Sequence, residues 1–274
     1  FINNPKKYYR KSKWLSRKQV KRLGESFWYS GIHNFLMKTG EAPVILDTAS
    51  TKKSLRRLRL YYSNIGYFDA KAKFTIDTIA AKKAKLNYSV TKGKPYIIDS
   101  IATIITTKVL DSIYQEKKNN SYIKVGDQFN RNNFENERNR ITEDFRNNGA
   151  FKFQQNYINY EIDTIKRGHK PKITILIDDE VSRVNDSTVI SPFKLYKINR
   201  VNIFTDHSTA NPNAKITDSA VYKNFNIYSV NKLKYRLKSI TNGVFIAKDN
   251  YFSDFKTAIT SRYLTNLKVF NYPL

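Results

Sequence analysis

The sequence predicts an α+β protein built in series, each unit reading strand, helix, helix, strand, strand. Three observations predict it. A short phrase closes an amphipathic stretch three times, as Asn64-Ile65-Gly66-Tyr67-Phe68, Asn147-Asn148-Gly149-Ala150-Phe151 and Asn266-Leu267-Lys268-Val269-Phe270. The alternating run Phe74-Thr75-Ile76-Asp77-Thr78-Ile79 returns as Tyr160-Glu161-Ile162-Asp163-Thr164-Ile165. Tyr96-Ile97-Ile98-Asp99-Ser100-Ile101 is answered one hundred residues later by Tyr196-Lys197-Ile198-Asn199-Arg200-Val201. Repeats of this kind mark an array of small units rather than one catalytic domain.

Residues 1–40 read as a basic arm followed by a helix. Residues 1–22 carry nine Lys or Arg, among them Lys6, Lys7, Arg10, Lys11, Lys13, Arg17 and Lys18, and no acid. From Glu25 to Lys38, Phe27, Trp28, Ile32, Phe35 and Leu36 recur at near-helical spacing. A first unit spans 41–95. Val44-Ile45-Leu46 is its only candidate opening strand, and Thr51 is placed to cap a helix whose apolar face is Leu55, Leu58, Tyr62 and Ile65. Gly66 stands where a left-handed residue ends a helix, and Phe68 is expected to enter the core as the chain turns into a strand, Lys71 to Ile79. Lys85 to Val90 then returns as the second strand of a hairpin.

A second unit spans 96–190. Its first helix is expected at Lys108 to Lys117, and its second carries Phe134, Ile141 and Phe145 inward and stops at Gly149. Phe151 opens the next strand and Lys172 to Ile177 returns. A third unit, 191–274, holds an insertion, 206–243, in place of the first helix. Asp218 to Leu237 alternates polar and apolar residues and is expected to form a hairpin. Here the phrase is imperfect, with Lys268 for glycine and Phe270 in the anchoring place. The chain opens on Phe1 rather than Met and stops where a strand should begin, so a fragment at both ends is expected.

Lys+Arg 49 against Asp+Glu 23 gives +26, a field that favours anionic partners. With no cysteine, disulfide and thiolate chemistry are excluded. His33, His169 and His207 lie in unrelated segments without metal-ligand spacing, and Asp178-Asp179-Glu180 reads as a polar linker. Gly66 and Gly149 lie in no phosphate-loop context. These inventories give no enzyme, no cofactor and no metal site.

A βααββ unit whose second helix ends in Asn-x-Gly-x-Phe resembles the polypeptide-transport-associated (POTRA) domain of the BamA/TamA superfamily of outer-membrane assembly factors. Glu41-Ala42-Pro43-Val44-Ile45-Leu46-Asp47, Arg57 to Tyr61 running into Asn64-Ile65-Gly66-Tyr67-Phe68, Gly93-Lys94-Pro95-Tyr96 and Gly126-Asp127-Gln128-Phe129 resemble the TamA-like proteins of the Bacteroidetes, TamL. The resemblance implies tandem POTRA modules, each a three-stranded mixed sheet with two helices on one face and its second strand at an edge. It implies a periplasmic location, unfolded outer-membrane or surface proteins as clients, and a TamB-like periplasm-spanning partner. It also implies membrane attachment through a C-terminal β-barrel, with a lipid anchor upstream of Phe1.

An exposed edge strand offers unpaired backbone groups to an extended peptide. The candidate edges are Phe74 to Ile79, with Phe74 and Ile76, and Asn156 to Ile165, with Tyr157, Ile158, Tyr160 and Ile162. The basic arm is a candidate contact for anionic lipid. Two other functions stand beside this one: a basic nucleic-acid-binding repeat protein resting on charge alone, and a structural spacer.

Overall fold

The computed structural model describes residues 46–80, 83–185, 187–208, 211 and 213–268, with Lys18, Gln19, Arg22, Phe35 and Lys38 as isolated helical positions. The rest of the N-terminal arm and helix, the candidate strand Val44-Ile45-Leu46 up to its last residue, and Phe270 lie outside the described residues. The chain divides into two compact units, Phe1–Ser54 with Asp77–Lys85, and Leu55–Ile76 with Leu86–Leu274.

In the first unit, helix α1 (Thr48–Asn64) begins on Asp47. The Asp47 carboxylate accepts from the Ala49 N–H (3.0 Å), the Ser50 N–H (2.9 Å) and the Ser50 hydroxyl (2.8 Å). Asp47, not Thr51, is therefore the cap. Thr51 lies one turn further in, buried, with its hydroxyl donating to the Asp47 carbonyl (2.8 Å).

In the second unit, α1 continues with Leu55, Leu58, Tyr62 and Ile65 half-buried and Arg56 and Arg57 exposed. Strands β1 (Lys71–Ala80) and β2 (Lys83–Thr91) form a two-stranded hairpin, of which Lys71–Ile76 and Leu86–Thr91 belong to this unit and Asp77–Lys85 to the first. A central sheet follows, from β3 (Ser100–Ile105), β4 (Ile158–Asp163) and β5 (Lys172–Ile177), with α2 (Lys108–Lys117) and α3 (Arg131–Asn147) between β3 and β4. Its order is β3-β5-β4, with β3 parallel and β4 antiparallel to β5. This is the expected βααββ arrangement. Ile173, Ile175 and Ile177 alternate inward on β5: Ile175 and Ile177 meet Leu110 and Tyr114 of α2 and Ile141 and Phe145 of α3 in one cluster, and Ile173 meets Phe134 of α3 in a second. Period-2 and period-3.6 apolar patterns agree here, so both helices cover the same sheet face.

Glu137 on that helix face is fully buried. It accepts from the Tyr122 N–H (2.9 Å) and from Arg140 (3.0 and 2.6 Å), so the buried charge is hydrogen-bonded and ion-paired.

Two segments depart from expectation. Asp178-Asp179-Glu180 is not a free linker: Asp178 accepts from Asn159 (2.8 Å), Asp179 from Thr107 (2.6 Å) and Glu180 from Lys152 (2.8 Å). The chain then forms a hairpin, β6 (Glu180–Val184) with β7 (Ser187–Ser191). The C-terminal sheet consists of β8 (Val201–Phe204), β9 (Asp218–Tyr222) and β10 (Phe225–Ser229), followed by α4 (Leu237–Thr241) and α5 (Asp254–Asn266). Its order is β8-β10-β9, with β10 parallel to β8 and antiparallel to β9. The insertion thus does hold a hairpin, but that hairpin takes the places that β5 and β4 take in the central sheet. The group reads β-β-β-α-α, and a five-residue α4 inside 206–243 supplies the first helix.

The repeated phrase is a joint. Gly66 (φ 86°) and Gly149 (φ 102°) end α1 and α3 in the left-handed region, and so does Lys268 (φ 54°) after α5. Gly66 O accepts from Tyr96 N–H (2.8 Å) and Gly149 O from Tyr196 N–H (2.8 Å), so the hundred-residue echo is a repeated contact. Phe68 and Phe151 do not enter the core, being 40% and 49% exposed. Phe68 packs edge-on against Tyr96 (4.8 Å) and beside Phe129 (5.0 Å), and Phe151 against Phe252 (4.8 Å) and Tyr196 (6.1 Å). The left-handed turn sends each ring toward the following segment. At the second phrase, Ala150 within it and Phe153 just after it fill the core instead.

Candidate strand-docking site

Strand β4 pairs with β5 alone, so its other side is an edge among the described residues. The Asp178 N–H donates to the Tyr157 carbonyl (3.0 Å), which sets the phase of the antiparallel ladder. Alternate residues turn both backbone groups to the partner, so Asn159, Glu161 and Asp163 face β5 while Ile158, Tyr160 and Ile162 face outward.

The side chains of the sequence-chosen positions divide sharply. Ile158 is buried in the core. Tyr157 packs on Phe193 (5.0 Å) and Phe153 (5.8 Å). Tyr160 donates its hydroxyl to the Phe134 carbonyl (3.1 Å) and meets the Phe134 ring edge-on (5.1 Å). Burial, reinforced by the charge of Glu137, pushes its hydroxyl pKa up, so it stays a neutral donor. Only Ile162 is exposed, at 39%. What β4 offers an incoming chain is its backbone. On the hairpin, Phe74 is half-buried and Ile76 exposed.

Arg138 of α3 was not legible as part of this site. Its guanidinium donates to the outward carbonyl of Ile158 (3.3 Å) and to Glu135 (3.2 Å), and lies 5.3 Å over the Tyr160 ring. Its Nε is buried without a partner. Arg138 thus closes the first outward carbonyl of β4 and leaves Tyr160 and Ile162 open. The only sequence signal was a cation three residues before the inward Ile141.

The remaining candidates are scattered. His169 lies 3.2 Å from Asp69 and packs at a tilt against Tyr96 (4.8 Å), whereas His207 lies beside Phe204. No group of three or more His, Asp or Glu among the described residues is placed to hold a metal ion. Of the candidate lipid contacts in the basic arm only Lys18 is described, exposed and helical; Lys6, Lys7, Arg10, Lys11, Lys13 and Arg17 lie outside. No helix among the described residues is long and apolar enough to cross a membrane.

No protein-family model and no curated protein matches the chain. Among solved structures it is similar to POTRA domains 3–5 of Haemophilus influenzae BamA, at 14% identity and a TM-score of 0.38 over 82% of this chain and 72% of that one. It is also similar to the Omp85 N-terminal domain of the cyanobacterium Thermosynechococcus elongatus, at 11% identity and a TM-score of 0.27 over 87% of this chain and 80% of that one. A third is Haemophilus ducreyi BamA lacking POTRA domains 1–3, at 13% identity and a TM-score of 0.33, where the match covers 54% of this chain and 27% of that one. At these values the overlaps carry no argument, and the fold stands on the strand order and pairing of the chain itself.

Proposed function

We propose that this chain is the periplasmic POTRA region of an outer-membrane assembly factor of the TamL kind, divided into modules at 41–95, 96–190 and 191–274. In this reading it takes up extended segments of unfolded outer-membrane or surface proteins by strand addition, and it also docks a TamB-like partner. Attachment to the outer membrane runs through a β-barrel and a lipid anchor, and the basic arm lies against anionic headgroups. The observation that carries the reading is the open outer side of β4, with Tyr160 and Ile162 presenting their backbone groups beside Arg138. Backbone pairing reads no particular side chain, which suits a receiver of many different clients.

Photocrosslinking in cells from positions 160 and 162 tests it, with exposed Lys238 on α4 as the control position. Capture of unfolded outer-membrane proteins from 160 and 162 but not from 238 is the expected result. Equal capture, or none, overturns the strand-addition reading.

A further inference from the structure

We infer that β3 is a second strand-docking edge, taking an apolar-alternating extended peptide with acidic flanks antiparallel to it. The site does not depend on β4. Ile97 and Asp99 send their N–H groups toward the β5 side, to His169 O (2.9 Å) and Pro171 O (3.0 Å). Ile98 faces the other way: its N–H donates to Asp127 O (2.9 Å) and its carbonyl accepts from Gly126 N–H (2.8 Å). Phe129 N–H then donates to Tyr96 O (2.9 Å), so Gly126–Phe129 already forms a short antiparallel line on the outer side of the strand.

That line stops at Gly126, whose φ of 88° carries the preceding loop away. Within β3 the phase shifts by one residue: Lys172, Thr174 and Leu176 turn their backbone groups to β4, so Ile173, Ile175 and Ile177 turn theirs to Ser100, Ala102, Ile104 and Thr106, whose N–H donates to Ile177 O (3.4 Å). The outward direction therefore passes to Ile101, Thr103 and Ile105, and β3 has no partner there among the described residues. The C-terminal sheet repeats the device. Ile198 exchanges bonds with Asn250 (2.9 Å) and Asp249 (2.7 Å), and Asp249, with φ 65°, turns the chain off the line of β8. A pairing line begun and abandoned at the same place twice belongs to the architecture.

The chemistry of the edge selects its occupant. A row of outward N–H and C=O groups is matched by an extended main chain and by little else. Edge strands are commonly guarded by charge. β4 carries Glu161 and Asp163, whereas β3 reads Ser-Ile-Ala-Thr-Ile-Ile, with no charge and no fully buried residue. Ile104 is 56% exposed, and Val109, Tyr122 and Val125 add exposed apolar surface in the flanking helix and loop. A second copy of the chain is a poor occupant at a net charge of +26. A partner polypeptide with acidic flanks and an alternating Val/Thr-like stretch fits.

The probe is a short peptide of alternating Thr and Val with an aspartate at each end, added to the full chain and followed by amide NMR. The expected result is perturbation of the Ile101, Thr103 and Ile105 amides. Thr103→Pro removes an outward N–H without touching the β5 ladder, and Ile104→Lys places a charge beside the edge. Each should weaken the peptide at β3 by about tenfold or more, while Ile162→Lys leaves it unchanged. Silence at 101, 103 and 105, or full binding to both β3 variants, overturns the proposal. Loss of perturbation at Tyr160 and Ile162 alone bears only on β4.

Discussion

Lys268 occupies the backbone state that Gly66 and Gly149 occupy, with φ 54° against 86° and 102°. For a residue with a Cβ that state costs about 1–2 kcal/mol, so the third phrase keeps its turn at an energetic expense the first two avoid. The glycines have a second reason to be glycines. A Cβ on Gly66 would lie 2.6 Å from the Phe129 carbonyl oxygen, and one on Gly149 2.9 Å from Cδ1 of Tyr251 and 3.2 Å from the Tyr196 carbonyl oxygen. The expected outcomes have opposite signs. Lys268→Gly should stabilise the end of α5 by up to about 1 kcal/mol, and Gly149→Ala should cost about 1–3 kcal/mol, both read by chemical denaturation. The helix stop was legible from the phrase alone. The destination of Phe68 and Phe151 was not, because a left-handed turn fixes where a helix ends and not which neighbour the next ring meets.

Helices α2 and α3 and strands β4 and β5 were legible because their apolar period matches their geometry: Phe134, Ile141 and Phe145 are all in the core. Glu137 on the same face and Arg138 beside β4 were not, since no spacing rule marks a charge that will be buried or aimed at a strand edge. The β9–β10 hairpin was expected from alternation, but its place beside β8 follows from a tertiary anchor. Asp206 accepts from the Ser229 hydroxyl (2.8 Å), the Val230 N–H (2.7 Å) and the Asn231 N–H (3.0 Å) where the hairpin ends. Burial works against its charge, but these donated bonds outweigh it and hold its pKa below the ordinary carboxylate value. Its contribution is therefore complete above the unfolded value of about 3.9 and is lost as pH falls through the lower folded value. Asp206→Ala should cost about 1–3 kcal/mol near neutral pH and raise hydrogen exchange across β9 and β10. Acidification below about pH 4 should produce the same exchange pattern in the unaltered chain.

The central and C-terminal sheets are joined by more than the Gly149–Tyr196 bond. Arg146 pairs with Asp254 and also donates to the Phe153 carbonyl (3.0 Å), while Asn147 accepts from the Ser253 hydroxyl (2.9 Å) and the Phe255 N–H (2.9 Å). The last residues of α3 thereby cap the first turn of α5. The Asp254 hydrogen bond raises the Arg146 pKa, with burial opposing it, so the guanidinium stays charged throughout the working range. Arg146→Ala should uncouple the two sheets, and a single thermal transition should divide into two in calorimetry.

The strand order of the C-terminal sheet also sets a clock. Residues paired across β8 and β10 are 24 apart, as in Asn202 and Asn226, whereas the ends of β3 and β5 are held by contacts 72 apart, as in Thr107 and Asp179. The longer closure costs about 1 kcal/mol more in chain entropy, and distant pairings form slowly. A sheet that completes itself before its helices are reached collapses early and locally. The central sheet must wait for both of its helices before β5 can find β3. Until β5 pairs with it, β3 is an uncharged strand open on both sides, so the order of closure fixes how long that surface stays bare.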